Sequence, residues 1–310
     1  MDTTLLSDTT AWQGSCALGH LGVIEATGAD AATFLHGQLS QDIVQLPVGQ
    51  PALAAYCSPK GRMLASLWVW RAHAERFWLV LDRSLLPSTL KRLTMFVLRA
   101  QCKLRDASDE LSVVGAAWPD THGGHAPEGF VPLPGQPRTA TGSALGCALL
   151  PAGEVATRLA TGPTLDAAQW AWLQVLTGVP HITAATADQF VPQMVNYEVL
   201  GGVNFRKGCY PGQEVVARSQ YRGTLKRRLF LARGHTPMQA GQEVYSAADP
   251  GQPAGMVVNA AASPESGDGS VLALIELKLQ ASDAALHLGG DAGPALTLLP
   301  LPYDVTSADA

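Results

Sequence analysis

The sequence predicts an α+β protein that closes with a small antiparallel β-barrel or sandwich. Three observations carry this reading. The chain has 310 residues, enough for two or three cores. Its first half mixes strand-type runs with segments of helical periodicity. After Arg222 the texture changes to short apolar runs at 228–232, 242–246, 255–260, 270–279 and 295–300. Gly, Pro, Asp and Ser clusters separate them, as in hairpin-connected strands.

The elements follow in order. His20 to Ala26 reads as a strand, and Gly28-Ala29-Asp30 opens a helix over roughly 30–40, with Phe34, Leu35 and Leu39 on one face. Residues 52–57 and 63–70 form a hairpin, with Pro59-Lys60-Gly61 as its turn. Phe77 to Leu81 is a strand, and Pro87 begins a helix carrying Leu90, Leu93 and Val97. Leu111 to Ala117 is a further strand, and the Gly- and Pro-rich stretch 119–137 reads as a surface loop. Helices are expected near 151–160 and 165–177, the second with Trp170 and Leu173 inward. Trp172, two residues on, cannot share that face. The expected domains are 1–221, with 47–111 as a candidate inserted subdomain, and a C-terminal barrel over 222–305.

Composition narrows the class. Hydrophobic residues make up 47% and charged residues 15%, which fits a globular protein and excludes a disordered one. Met1-Asp2-Thr3-Thr4 shows no basic region leading into an apolar stretch, and no apolar run approaches bilayer length. A cytoplasmic protein with no membrane partner is expected. The five cysteines, Cys16, Cys57, Cys102, Cys147 and Cys209, lie far apart with no Cys-x-x-Cys pair, so no metal or cluster site of the chain's own is expected. His122-Gly123-Gly124-His125 reads as a plain loop, since flexible glycines give ligands no backing.

The run Lys207-Gly208-Cys209-Tyr210-Pro211-Gly212-Gln213-Glu214 is the strongest chemical signal. Tyr210-Pro211-Gly212-Gln213 reads as a type II turn, with proline fixing φ at its second position and glycine accepting positive φ at its third. Gly208 leaves open space beside the sulfur. Lys207 and Arg206 place cations near it, and a nearby cation favours thiolate. The competing reading is a small buried hydrophobe, the usual fate of a free cysteine. Residues 206–228 hold seven Lys/Arg against one Glu, a local charge of +6 in a chain of net charge −5. Such an island attracts anions: carboxylates, a phosphate or an RNA backbone.

The octapeptide resembles the YgfZ family of folate-binding proteins, accessory factors for iron–sulfur proteins and for some tRNA modification. That family carries Lys-Gly-Cys-Tyr-x-Gly-Gln-Glu, and residues 207–214 match every fixed position. The likeness extends through Phe190-Val191-Pro192-Gln193 with Asn196, Gly201-Gly202-Val203-Asn204-Phe205, Ala217-Arg218 and Tyr221-Arg222-Gly223. Fainter echoes lie at Phe34-Leu35-His36-Gly37-Gln38-Leu39 and Ser58-Pro59-Lys60-Gly61-Arg62. The resemblance implies an aminomethyltransferase-like folate-binding fold with a C-terminal antiparallel β-barrel. It implies a tetrahydrofolate cofactor or a derivative, and iron–sulfur client or assembly proteins as partners, with no direct nucleic-acid binding. Cys209 is the expected reactive residue, with Lys207 tuning it. Tyr210, Gln213, Glu214, Arg218, Arg222, Asn196 and Glu198 are the expected cofactor contacts.

The related aminomethyltransferases carry two acids that this chain lacks. Thr89 stands where they have a helical aspartate, and Leu176 where a glutamate contacts the pterin. A carboxylate suits the pterin's adjacent N–H donors because it accepts two hydrogen bonds at once. Glu198 and Asp188 are the candidate replacements. An accessory factor is therefore expected over a classical aminomethyltransferase. The alternatives are a folate-dependent one-carbon transferase acting on a small molecule, and a binding module with a structural Cys209.

Overall fold

The computed structural model describes residues 12–119, 125–135, 139, 142–221, 225–264 and 269–305. Strands β1 (Gly14–Ala17) and β2 (Leu21–Thr27) lead into helix α1 (Ala31–Gln38). The expected hairpin follows as β3 (Pro51–Cys57) and β4 (Met63–His73), then β5 (Arg76–Asp82), helix α2 (Leu86–Phe96) and β6 (Lys103–Asp106). These strands form an antiparallel five-stranded sheet in the order β3-β4-β5-β2-β6. Because β2 lies between β5 and β6, residues 47–111 share one sheet with the segment before them.

A second sheet is built from β1, β7 (Leu111–Pro119), β8 (Val131–Pro132) and β9 (Ser143–Pro151), in the order β1-β7-β9-β8. Two of these strands depart from the sequence reading. The short β8 falls inside the expected loop, and β9 precedes the expected helix, which shrinks to α3 (Val155–Leu159). Helix α4 (Ala167–Leu176) starts at a capping box, in which the Asp166 carboxylate accepts from Gln169 N and the Gln169 side chain accepts from Asp166 N. Trp170 and Trp172 are both buried on it, although they point to different faces. The reason is that α4 is enclosed on more than one side, by β1 and by barrel strands, with the Trp170 indole lying on Gly115 of β7.

Helix α5 (Gln213–Tyr221) connects to the barrel, whose strands are β10 (Arg227–Gly234), β11 (Glu243–Ser246), β12 (Pro253–Ala262), β13 (Val271–Lys278), β14 (Leu286–Leu288) and β15 (Ala295–Leu299). It closes in the order β10-β13-β12-β11-β14-β15, with β15 returning to β10. Alternation along the strands separates two cores. Val271, Ala273, Ile275 and Leu277 of β13 fill the barrel, while Leu272 and Leu274 face outward into the main core. Leu229 and Leu231 of β10 do the same, so the barrel is docked by its own outer face. A bulge in β12 between Val257 and Asn259 turns Asn259 toward the chain before it. There its amide accepts from His181 N and donates to His181 O, both at 2.8 Å. Among the described residues, no helix is long and apolar enough to cross a membrane.

The contact of α4 with β7 yields a stability prediction. A Cβ on Gly115 would stand 2.5 Å from the Trp170 ring. Gly115→Val is expected to overpack this contact and cost about 1–3 kcal/mol. Denaturant melts of the variant should show a lower midpoint with an unchanged slope.

Candidate functional site

The octapeptide lies against the end of α1, the tip of the β3–β4 hairpin and the segment that carries Asn204. Ser40, just after α1, fixes the approach: its Oγ donates to Gly202 O at 2.6 Å and accepts from Ala55 N at 2.7 Å. Gln41 Nε2 adds bonds to Gly201 O at 2.7 Å and to Leu53 O at 3.1 Å. Asn204 then turns the chain, its Oδ1 accepting from the backbone of Arg206 and Lys207.

Lys207 points inward. Its ammonium donates to the carbonyls of His36 and Leu39, the latter at 2.7 Å, and lies 4.8 Å from the centre of the Tyr210 ring. These carbonyls belong to the C-terminal end of α1, where a cation meets orphan acceptors and the negative end of the helix dipole. Only 8% of the residue is exposed, and burial pushes the ammonium down to about 8, against the pull of Asp42 and Cys209. The expectation that Lys207 mainly tunes the sulfur is thus amended: its direct partners are α1 carbonyls, and it fastens the loop to that helix.

Gly208 and Cys209 are exposed, whereas Tyr210 turns back into the protein. The turn after the cysteine has the expected form, with Gln213 N donating to Tyr210 O at 3.2 Å and Gly212 at φ +80°. It is pressed against the tip of the β3–β4 hairpin. A Cβ on Gly212 would touch Ser58 O and stand 2.7 Å from Gly61 N, so both glycines are needed for this close approach. The basic hairpin tip is therefore a packing partner of the cysteine loop. Helix α5 begins at once, and sequence reading missed it. Its backbone is held by Gln193, whose Nε2 donates to Val216 O at 2.8 Å.

Cys209 is the exposed thiol of the five, and the other four are buried. Burial pushes Cys16 and Cys57 up to about 12 and Cys102 up to about 11, and it also holds the Cys147 thiol well above its ordinary value. The thiolate, which is the reactive form, is strongly disfavoured at those four positions.

Two of the expected cofactor contacts serve the barrel instead. Asn196, in the left-handed conformation at φ 56°, is fully buried. Its amide donates to Leu229 O at 3.0 Å and accepts from Leu229 N at 3.3 Å. Glu198 is ion-paired with Arg228, and burial pushes its carboxyl up against that pull. The candidate replacement Asp188 accepts a hydrogen bond from Ser58 Oγ at 2.8 Å. Gln213 opens α5, while Glu214 in its first turn and Arg218 in its last are exposed. Arg222 lies outside the described residues, as do residues 122–124 of the His-Gly-Gly-His stretch.

The basic island is smaller in space than in sequence. Arg228 is neutralised by Glu198, and Arg227 makes a two-pronged pair with Glu276 at 2.6 Å for each oxygen. Lys207 is buried. Among the described residues, the exposed cations of the island are Arg206, Arg218 and Lys226.

Two further groups escaped the sequence reading. His36 Nδ1 is 3.1 Å from Asp42 Oδ1, and its Nε2 lies 3.6 Å from where a Gly208 side chain would begin. The only sequence signal was the faint Phe34–Leu39 echo. Elsewhere, a cleft of about 380 Å³ opens between α4, the His20 and Asp82 ends of β2 and β5, and the barrel. His181 and Gln174 line it, burial holds the His181 imidazole neutral at about 3, and the buried Gln174 Nε2 has no hydrogen-bond partner. Thr89 and Leu176, the positions of the missing acids, are both buried.

Comparison with known proteins fits this architecture. The model of the GCVT N-terminal domain family matches residues 11–122. The tRNA-modifying protein YgfZ of Sodalis glossinidius is 32% identical over 306 residues, covering 91% of this chain and 90% of the relative. The chain belongs to the YgfZ family. A second YgfZ, from Edwardsiella ictaluri, is 32% identical over 302 residues, covering 90% of this chain and 89% of that protein. The crystal structure of the glycine cleavage system aminomethyltransferase T from Bartonella henselae superposes with a TM-score of 0.67 at 15% identity, over 96% of this chain and 88% of that one. This YgfZ chain thus has the aminomethyltransferase-like fold, with its closed six-stranded C-terminal barrel.

The buried lysine gives a prediction with a definite sign. Its folded value of about 8 lies below the ordinary 10.5. Between these values the unfolded chain binds the proton that the folded chain has lost, so stability rises with pH across that window. Wild type is expected to gain about 1–2 kcal/mol relative to Lys207→Met between pH 7.5 and 9.5. Paired denaturant titrations at the two pH values measure it, and a constant difference would contradict the burial argument.

Proposed function

We propose that this chain is a YgfZ-type factor in tRNA modification. It supports the assembly or repair of iron–sulfur clusters in client enzymes, acts through the Cys209 thiol and uses a bound folate. The observation that carries the reading is the contrast among the thiols. Four are buried with their thiolates disfavoured, and Cys209 alone is held exposed, by a loop fastened through Lys207 and Gly212.

The curated relatives are named tRNA-modifying proteins, which supports the same role here. The proposed clients are proteins, and exposure of Cys209 on a firm loop suits contact with a protein surface. For the folate, the cleft beside α4 has the volume of a small-ligand pocket. Gln174 lies on the helical segment where the aminomethyltransferases bear their pterin-contacting acid, and its unpartnered amide suits a heterocyclic acceptor. The exposed Arg206, Arg218 and Lys226 are candidates for glutamyl carboxylates of the same ligand. A small-molecule aminomethyl transfer is the weaker reading, because buried Thr89 and Leu176 replace both acids of that chemistry.

The test is complementation of a deletion strain, read as modified-nucleoside content of its tRNA. Cys209→Ser should abolish rescue while shifting stability by no more than about 0.5 kcal/mol, as surface changes do. A Cys209→Ser protein that melts early yet restores full modification would make the thiol structural and overturn the reading.

A further inference from the structure

We propose that His36 is the proton acceptor of the Cys209 thiol and that Asp42 is its positioning residue. The inference rests on Cys209 being the working residue and adds how its proton is handled.

The geometry fixes the tautomer. Asp42 Oδ1 can only accept, so the His36 Nδ1 that faces it at 3.1 Å carries the ring proton. In the neutral ring Nε2 then keeps its lone pair, and among the described residues it has no hydrogen-bond partner. That lone pair faces the one position in the motif without a side chain. Any residue larger than glycine at 208, directly before the cysteine, would begin 3.6 Å from Nε2 and crowd the imidazole. Asp42 is itself held in place, its Oδ1 accepting from Gln45 N and its own N–H donating to Gln41 Oε1 at 2.9 Å.

The Lys207 contact ties the two halves together. Its ammonium is bonded to the carbonyl of His36 itself, so the residue that precedes Gly208-Cys209 fixes the backbone bearing the imidazole. Asp42 is the charged group bonded to the ring, and Lys207, whose ammonium feels both Asp42 and Cys209, is bonded to the His36 carbonyl. In the step proposed, the Cys209 S–H bond breaks and its proton passes to Nε2 through one water. The products are a thiolate and an imidazolium. Asp42 stabilises the new positive charge, while Lys207 stabilises the thiolate and opposes the imidazolium. No oxidant or further reactant is needed. A base held by a third group beside a thiol is the general arrangement for activating a cysteine nucleophile.

The experiment is the pH profile of Cys209 alkylation by iodoacetamide in the full-length protein, read by mass spectrometry, with melts of each variant. An ordinary free thiol is only a few per cent thiolate at pH 7, so His36→Gln should slow labelling at that pH by roughly tenfold. It should also remove the limb of the profile that falls between pH 5 and 8, where imidazoles titrate. Asp42→Asn leaves the imidazole in place and should move that limb to lower pH, which keeps the proposal testable if His36→Gln fails to fold. Superimposable profiles for wild type and the variants would overturn it. In that case, loss of complementation by Cys209→Ser would still uphold the functional reading. Full complementation by Cys209→Ser would instead defeat that reading, whatever the profiles show.

Discussion

A lysine ammonium on the carbonyl end of a short helix sets the geometry on which the site depends. Helix α1 ends with acceptors that no later turn of the helix can satisfy, and Lys207 Nζ meets two of them, from His36 and Leu39. With Lys207 drawn inward and Tyr210 buried beside it, Gly208 and Cys209 between them are left at the surface. The turn at Gly212 is then locked by backbone contact with the β3–β4 tip. Burying the lysine has a cost, visible in its depressed titration, and the two carbonyls with the Tyr210 ring offset it.

The same economy of charge governs the junction with the barrel. Arg227 and Arg228 look like the heart of a basic patch in sequence, yet each is matched by a buried carboxylate, Glu276 and Glu198. Removing Glu198 alone would strand the buried Arg228 guanidinium, which is far costlier than losing a surface pair. Asn196 needs its left-handed backbone to bring its amide onto Leu229. Asn196 and Glu198 are ligand contacts in the expectation that the family resemblance raises. In space they hold β10 against residues 196–198, while the Arg227–Glu276 pair joins β10 to β13 within the barrel.

What was legible in the sequence follows from what is local. The β3–β4 hairpin, α2 and the long barrel strands declare themselves through period-2 or helical patterns and turn residues. Strand β9 did not, because Ser143 to Leu150 contains no β-branched or aromatic residue. Helix α5 did not, because it buries only Val216 and shows no apolar stripe. The three-residue β14 is too short to show a period. At the site, the turn, the glycines and the exposed thiol were readable from eight consecutive residues. The direction of Lys207, the neutralising acids and the His36–Asp42 pair were not. Leu39 and Lys207 are 168 residues apart, the two arginines lie 30 and 49 residues from their acids, and the His36–Asp42 pair, only 6 residues apart, carries no pattern that marks it.

The central claim is that the fold singles out one sulfur for chemistry and shields the rest. Timed alkylation of the folded protein at neutral pH, with each cysteine quantified by mass spectrometry, tests it most directly. The account predicts that Cys209 is modified first, while Cys16, Cys57, Cys102 and Cys147 stay protected until the protein is unfolded. Labelling of any of those four as fast as Cys209 in the native state would contradict it.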